Sequence, residues 1–231
     1  MKKFISMMII SALILTVSFG VVAATVPTIA NFTDVSANDW FFRYAEFAIE
    51  RGLFDGVSDS EFAPNEPITR AMFVTALWRL AGEPSATWYS EAVDLLNAMS
   101  PLGASQPLAN PFADVAAYNW YAAAITWAEA NELVFGVTET IFEPNSEITR
   151  EQMATIVYRY QRFSGTVQPD VVENIEFSDW YDTSPSGKEG VMRVVTQGIM
   201  RGHFDGRFAP RGLVTRVEAA AVMMRLANEV E

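Results

Sequence analysis

The sequence predicts a mainly α-helical protein in which one helix–loop–helix unit is used three times. Three observations lead there. Residues 62–70 return as 142–150 and 208–216, each with Phe first, Pro two positions later and Thr-Arg at the end. Apolar residues at helical spacing precede and follow every copy. The 231 residues are 50 % hydrophobic and 13 % aromatic, enough apolar material for a packed core. A motif returning at fixed internal spacing marks a repeat architecture.

The first repeat spans residues 32–82. Phe32, Thr33, Asp34 and Val35 open it, and Trp40, Phe41, Ala45, Ala48 and Ile49 give one face of a helix. Asp34 or Asn38 is the expected cap, and Gly52 the expected stop. A loop with Gly56, Asp59, Phe62, Pro64 and Pro67 leads to a second helix that starts after Thr69 and presents Phe73, Ala76, Leu77 and Leu80.

The second repeat, residues 112–160, lies 80 positions on. Asp114 matches Asp34, Trp120 matches Trp40, Gly136 matches Gly56, and Met153, Ile156, Val157 and Tyr160 form the second stripe. Glu132 replaces Gly52, so its first helix is expected to stop less sharply. The third repeat, residues 177–227, has Asp179, Gly198, Gly202 and Phe208 at matching places, and stripes of Val191, Val194, Val195 and of Ala219, Val222, Met223, Leu226. One residue is inserted near its start, and Pro185 stands eight after Phe177 where the other copies have Trp. Of the connectors, 83–111 is expected to hold an extra helix near 91–99, while 161–176 is short and polar. Neither has a stalk's composition, so the repeats are expected to form one body. One helix pair cannot bury its apolar face alone, but three can.

Residues 1–24 have a secretory signal's form: Lys2 and Lys3, an apolar run, then Val22-Ala23-Ala24. The alternative is an uncleaved anchor, for which the run is short. The chain has no Cys, which removes disulfides, thiol chemistry and a lipoprotein anchor. The formal charge is −12 and becomes −14 without Lys2 and Lys3. Such a chain does not bind nucleic acid through its overall field and is repelled by anionic lipid. A single His203 leaves little scope for imidazole chemistry.

Thr69, Thr149 and Thr215 read as helix caps, with Gln152 and Glu218 completing capping boxes and Met72 breaking the first one. Arg70, Arg150 and Arg216 then fall in the first helical turn, where the peptide dipoles disfavour a cation by roughly 0.3–1 kcal/mol. One explanation is an anion held jointly by guanidinium and free helix N–H groups. The other is a structural pair with Asp34, Asp114 or Asp179, or with a neighbouring Glu. Trp40 and Trp120 pose a similar choice between a face for a sugar ring and core packing, with core preferred for the indole body. Gly56, Gly136 and Gly202 either permit close approach of a ligand or, the preferred reading, supply a positive φ. Phe62, Phe142 and Phe208 read as core pegs. Asp55, Asp59 and Glu61 lack the order of a calcium loop and read as solvated acids. No nucleophile elbow, zinc pair or phosphate loop is present, so no catalytic residue, metal or cofactor is assigned.

These residues resemble the S-layer homology domain family. The likeness rests on the Phe-x-Asp start, the loop Gly, the Phe-x-Pro segment and the Thr-Arg helix start in three copies, with the Trp in two of them. It implies a pseudo-threefold arrangement around a central helix bundle. It also implies non-covalent binding of a secondary cell-wall polysaccharide, typically one bearing pyruvate ketals on amino sugars, at the cell wall or S-layer. The polymer-binding residues it implies are Arg70, Arg150 and Arg216, with Asp34, Asp114, Asp179, Trp40, Trp120, Gly56, Gly136 and Gly202. The Thr-Arg motif continues Ala-Met, Glu-Gln and Val-Glu in the three copies, the middle loop lacks Asp-Gly, and the third repeat lacks an aligned Trp. Three unequal grooves are therefore expected. The expected function is surface anchoring without catalysis. The alternatives are a module that packs on another S-layer or surface protein and, last, a wall-active hydrolase.

Overall fold

A computed structural model describes residues 28–84, 110–167 and 177–228. The signal-like segment, the expected helix near 91–99 and most of both connectors lie outside these residues. Among the described residues the six α-helices are α1 (Phe42–Glu50), α2 (Arg70–Leu80), α3 (Ala122–Ala130), α4 (Arg150–Ser164), α5 (Lys188–Thr196) and α6 (Arg216–Asn228). Among the described residues there is no extended strand, only isolated bridges, so the mainly α-helical expectation holds.

The two helices of a repeat do not form the main packing pairs. Instead the first helix of each repeat docks on the second helix of the repeat before it: α3 on α2, α5 on α4, and α1 on α6. The third pairing returns the end of the chain to its beginning and closes the set. The helices of each repeat thus bury their apolar faces mainly against the neighbouring repeats, which is why three are stable where one is not.

A ring of backbone bonds marks the pseudo-threefold axis. The N–H of Ile148 donates to the carbonyl of Ile68 (3.0 Å), Val214 to Ile148 (3.1 Å), and Ile68 to Val214 (2.9 Å). Antiparallel bridges flank it, pairing Thr69 with Glu147, Thr149 with Leu213 and Thr215 with Pro67. Ile68, Ile148 and Val214 are fully buried, so these amides have no water to turn to and the ring satisfies them. From it run α2, α4 and α6, which hold much of the buried apolar surface.

Thr69 and Thr149 accept from the amides of Met72 and Gln152, and Gln152 closes its box. Thr215 and Glu218 exchange the same two bonds at α6. Phe62, Phe142 and Phe208 are fully buried, each against the Phe that opens its repeat.

Two local expectations are corrected. Neither Asp34 nor Asn38 caps α1, whose N-cap is Phe41 without a side-chain bond. Glu132 does not soften the end of α3: it adopts φ +58°, close to Gly52 at +63°, and α3 has the same nine residues as α1. In the second repeat α4 continues to Ser164 and stops at Gly165 with φ +73°. The residue inserted in the third repeat is absorbed before α5, around the short 3-10 helix Trp180–Asp182. As a result Lys188 precedes Arg216 by the same interval as Phe42 precedes Arg70.

Candidate functional site

Each repeat junction forms a groove, and each groove takes residues from all three repeats. Groove 1, about 310 Å³, is lined by the loop of repeat 1 (Asp55, Gly56), by Met72, Thr75 and Arg79 of α2, by Trp120 and by Arg216. Groove 2, about 290 Å³, has Gly136 with Gln152, Thr155 and Arg159 of α4, Ser184 and Ser186, and Arg70. Groove 3, about 230 Å³, has Gly202 with Glu218, Ala221 and Arg225 of α6, Trp40 and Arg150.

The three arginines are staples as well as groove walls. Arg70 Nε donates to the carbonyl of Phe142 at 3.0 Å and its Nη2 to that of Phe135 at 3.1 Å. Arg150 reaches Phe208 (2.8 Å) and Arg201 (2.6 Å) in the same way, and Arg216 reaches Phe62 and Asp55. Each guanidinium also lies over the ring of that Phe, 4.4–4.8 Å from its centroid. With only 3–6 % of each residue exposed, burial pushes all three guanidinium pKa values below their ordinary value, partly offset by nearby carboxylates. Arginine does not give up its proton at accessible pH, so the shift expresses the cost of holding a desolvated cation. Glu218 lies 3.5 Å from Arg150 Nη1. Among the described residues, no carboxylate comes within 4 Å of Arg70 or Arg216.

The expectation of free helix N–H groups beside the arginine is corrected. The amides of Arg70 and Ala71 donate to the carbonyls of Ser146 and Pro144, those of Arg150 and Glu151 to Gly212 and Pro210, and those of Arg216 and Val217 to Glu66 and Pro64. The Thr caps take the third amide. The helix ends are consumed by the joint between repeats, leaving the side chain alone to face an anion.

The structural alternative for the arginines is also revised. Asp34 accepts from the amides of Phe62 (2.9 Å) and Ala63 (2.7 Å), and Asp114 and Asp179 make the matching pair of bonds in their repeats. Both oxygens of each Asp thus pin the loop at its Phe, outside the groove linings; the arginines are paired with carbonyls, and the alternative of a neighbouring repeat's Glu holds for Arg150, through Glu218.

Trp40 and Trp120 are 71 % and 61 % exposed and line grooves 3 and 1, which overturns the preference for core packing. Ser184 and Ser186 occupy the equivalent rim of groove 2. The preferred positive φ at Gly56, Gly136 and Gly202 is also overturned, since none of them has one. They are glycine because a Cβ would strike the ring of Phe32, Phe112 or Phe177 and the backbone of its own loop.

One groove position occupied by arginine in every repeat is not among the residues singled out from the sequence. Arg79, Arg159 and Arg225 stand ten positions after Thr69, Thr149 and Thr215, and that recurrence was the available signal. Each is anchored by a carbonyl at the end of its own repeat's first-helix segment: Leu53, Leu133 or Ile199. Every groove therefore holds two arginines.

The sequence model of the S-layer homology domain matches residues 31–72, 111–154 and 176–220, more than half of the chain. The chain belongs to the S-layer homology domain family. Its S-layer homology repeats are similar to parts of much longer proteins. An amylopullulanase of Thermoanaerobacterium thermosulfurigenes is 29 % identical over 195 residues, covering 84 % of this chain and 9 % of the relative. An endoglucanase of Bacillus sp. (strain KSM-635) is 30 % identical over 196 residues, covering 84 % and 18 %. A surface-layer 125 kDa protein of Lysinibacillus sphaericus is 29 % identical over 150 residues, covering 63 % and 11 %. The chain thus spans less than a fifth of the length of each of these relatives.

Proposed function

We propose that this chain anchors to the bacterial cell wall by binding an anionic secondary cell-wall polysaccharide in the grooves between its S-layer homology repeats, without catalysis. The observation that carries the reading is the chemistry of the groove walls. Each presents a buried guanidinium beside a second arginine, and two add an exposed indole. A desolvated cation favours an acid group delivered without its water, such as the carboxylate of a pyruvate ketal. An indole face suits the apolar side of a sugar ring. Several such contacts along one polymer gain avidity through effective concentration.

Membership of the family and the likeness to a surface-layer protein support location at the cell surface. No helix among the described residues is long and apolar enough to cross a membrane. The enzymatic names among the relatives belong to chains of which this one matches a small part, so their activities are not carried over. The test is a pull-down of the full chain on purified walls, before and after the secondary polymer is stripped. Binding that disappears on stripping is expected, and binding that survives it overturns the reading.

A further inference from the structure

The three grooves share a plan, but their walls differ at three matched positions. At the third residue of the second helix stand Met72, Gln152 and Glu218. Only Glu218 sets a carboxylate against the arginine of its own groove, 3.5 Å from Nη1 of Arg150. In groove 1 the matched residue is the uncharged Met72, and Arg216 feels only the more distant carboxylates of Asp55 and Asp34. Three residues further along the helix stand Thr75, Thr155 and Ala221. The Thr155 hydroxyl bonds back to the Glu151 carbonyl at 2.8 Å, and Ala221 has none. Thr75 lies in the wall of groove 1, 3 % exposed, and its hydroxyl has no partner. A buried hydroxyl without a partner is costly and calls for one. At the rim stand Trp120 in groove 1 and Trp40 in groove 3, but Ser184 and Ser186 in groove 2.

Groove 1 alone combines a buried arginine with no carboxylate in ion-pair contact, a partnerless buried hydroxyl in its wall and an indole at its rim; its one lining carboxylate, Asp55, pairs with Arg79 at 3.3 Å. We infer that groove 1, formed by Met72, Thr75 and Arg79 of α2 with Trp120 and Arg216, is the principal ligand site, and that Met72 and Thr75 select it over its two copies. The inference rests on the reading of the chain as a binder of anionic wall sugar and adds the groove and the residues that set its preference. Met72 keeps Arg216 available to an acid group, whereas the carboxylate of Glu218 occupies the equivalent cation of groove 3. Thr75 supplies a hydroxyl that, unlike that of Thr155, has no partner within the protein.

The variants are Trp120→Ala, Trp40→Ala, Thr75→Val, Met72→Glu and Met72→Gln in the full chain. The probes are purified walls with their polymer retained and the methyl glycoside of a pyruvate-ketal N-acetylhexosamine, titrated by calorimetry. Gln already occupies the matched position in α4, so Met72→Gln is the folding control for Met72→Glu. Thr75→Val keeps the shape, and Trp120 is mostly exposed, so neither threatens the fold. Trp120→Ala and Met72→Glu are expected to weaken binding about tenfold or more, and Thr75→Val by about fivefold. Trp40→Ala is expected to weaken binding less than Trp120→Ala, and Met72→Gln less than Met72→Glu. If Trp40→Ala weakens binding more than Trp120→Ala, or Met72→Glu binds as Met72→Gln does, the assignment to groove 1 is wrong. Thr75→Val with unchanged affinity removes Thr75 from it. A parent chain that binds neither probe overturns the anchoring reading, and this inference with it.

Discussion

Arg216 Nε donates to the carbonyl of Phe62 at 2.6 Å across 154 positions of chain. That bond fastens the last helix to the loop of the first repeat, as Arg70 fastens the first repeat to the second and Arg150 the second to the third. The residue that best fits an anion in the groove is therefore also the rivet of the repeat joint. Arg216→Ala should cost on the order of 3 kcal/mol, because it strands two carbonyls and unstacks Phe62. Urea denaturation followed by circular dichroism measures it. A cost under about 0.5 kcal/mol would show that the joint does not depend on this side chain. Loss of wall binding in an arginine-to-alanine variant thus reports ligand contact only where the fold is shown to be intact.

Closure has a second consequence. Because α1 docks on α6 and the Ile68–Val214–Ile148 ring needs all three repeats, no repeat has a complete interface by itself. Phe142→Ala, a cavity in the middle repeat, should cost about 3–5 kcal/mol. It should also lower the stability of the whole body in a single transition. Hydrogen exchange is the check: protection of Ile68 and Val214 amides should fall together with that of Ile148. Loss confined to the middle repeat would contradict a closed ring.

Glu132 offers a change in the opposite direction. It holds a left-handed backbone, φ +58°, at the place where repeats 1 and 3 use Gly52 and Gly198 at +63° and +71°. A side chain pays sterically for that conformation and glycine does not. Glu132→Gly should stabilise the protein by about 0.5–1 kcal/mol, or raise Tm by roughly 2–4 °C. Scanning calorimetry measures it, and an unchanged or lower Tm would mean that the freedom glycine adds to the unfolded chain outweighs the relief of strain.

Gly56→Ala tests the reason those glycines are present. The added Cβ would meet the Phe32 ring and the Ser58 carbonyl, so the expected cost is about 1–3 kcal/mol from overpacking. A double variant with Phe32→Leu should recover part of that cost, since it shortens the ring that is struck. Absence of any recovery would place the conflict in the backbone contact.

What could be read from the sequence divides along the range of the interaction. The Thr caps depend on amides three positions away and the Phe pegs return at a fixed spacing, so spacing reveals them. The arginines were singled out correctly as cations at a disfavouring helix end. Their partners, however, lie 51–161 positions away, and carbonyls leave no trace in composition. The same blindness hid the occupants of the first-turn amides, which are backbone atoms of the next repeat. Trp40 and Trp120 were assigned to the core because an apolar residue opening a helical stripe has no label for which neighbour it faces. Arg79, Arg159 and Arg225 were legible at the same fixed spacing and were passed over because a charge on a helix reads as a solvated face.

The net charge of −12 leads to the last prediction. An acidic chain and an anionic polymer repel each other at long range, while the groove arginines act only at contact. Added salt shortens the Debye length from about 30 Å at 0.01 M to about 8 Å at 0.15 M, which removes the long-range repulsion first. The contact itself, made with buried guanidinium groups, is screened much less. Association with immobilised wall polymer should therefore speed up by several-fold over that range of NaCl, with the dissociation rate nearly constant, the reverse of the trend for basic proteins on polyanions. Surface plasmon resonance separates the two rates. An association rate that falls as salt is added would mean that attraction begins well outside the grooves, and would move the recognition surface away from the arginines of the repeat joints.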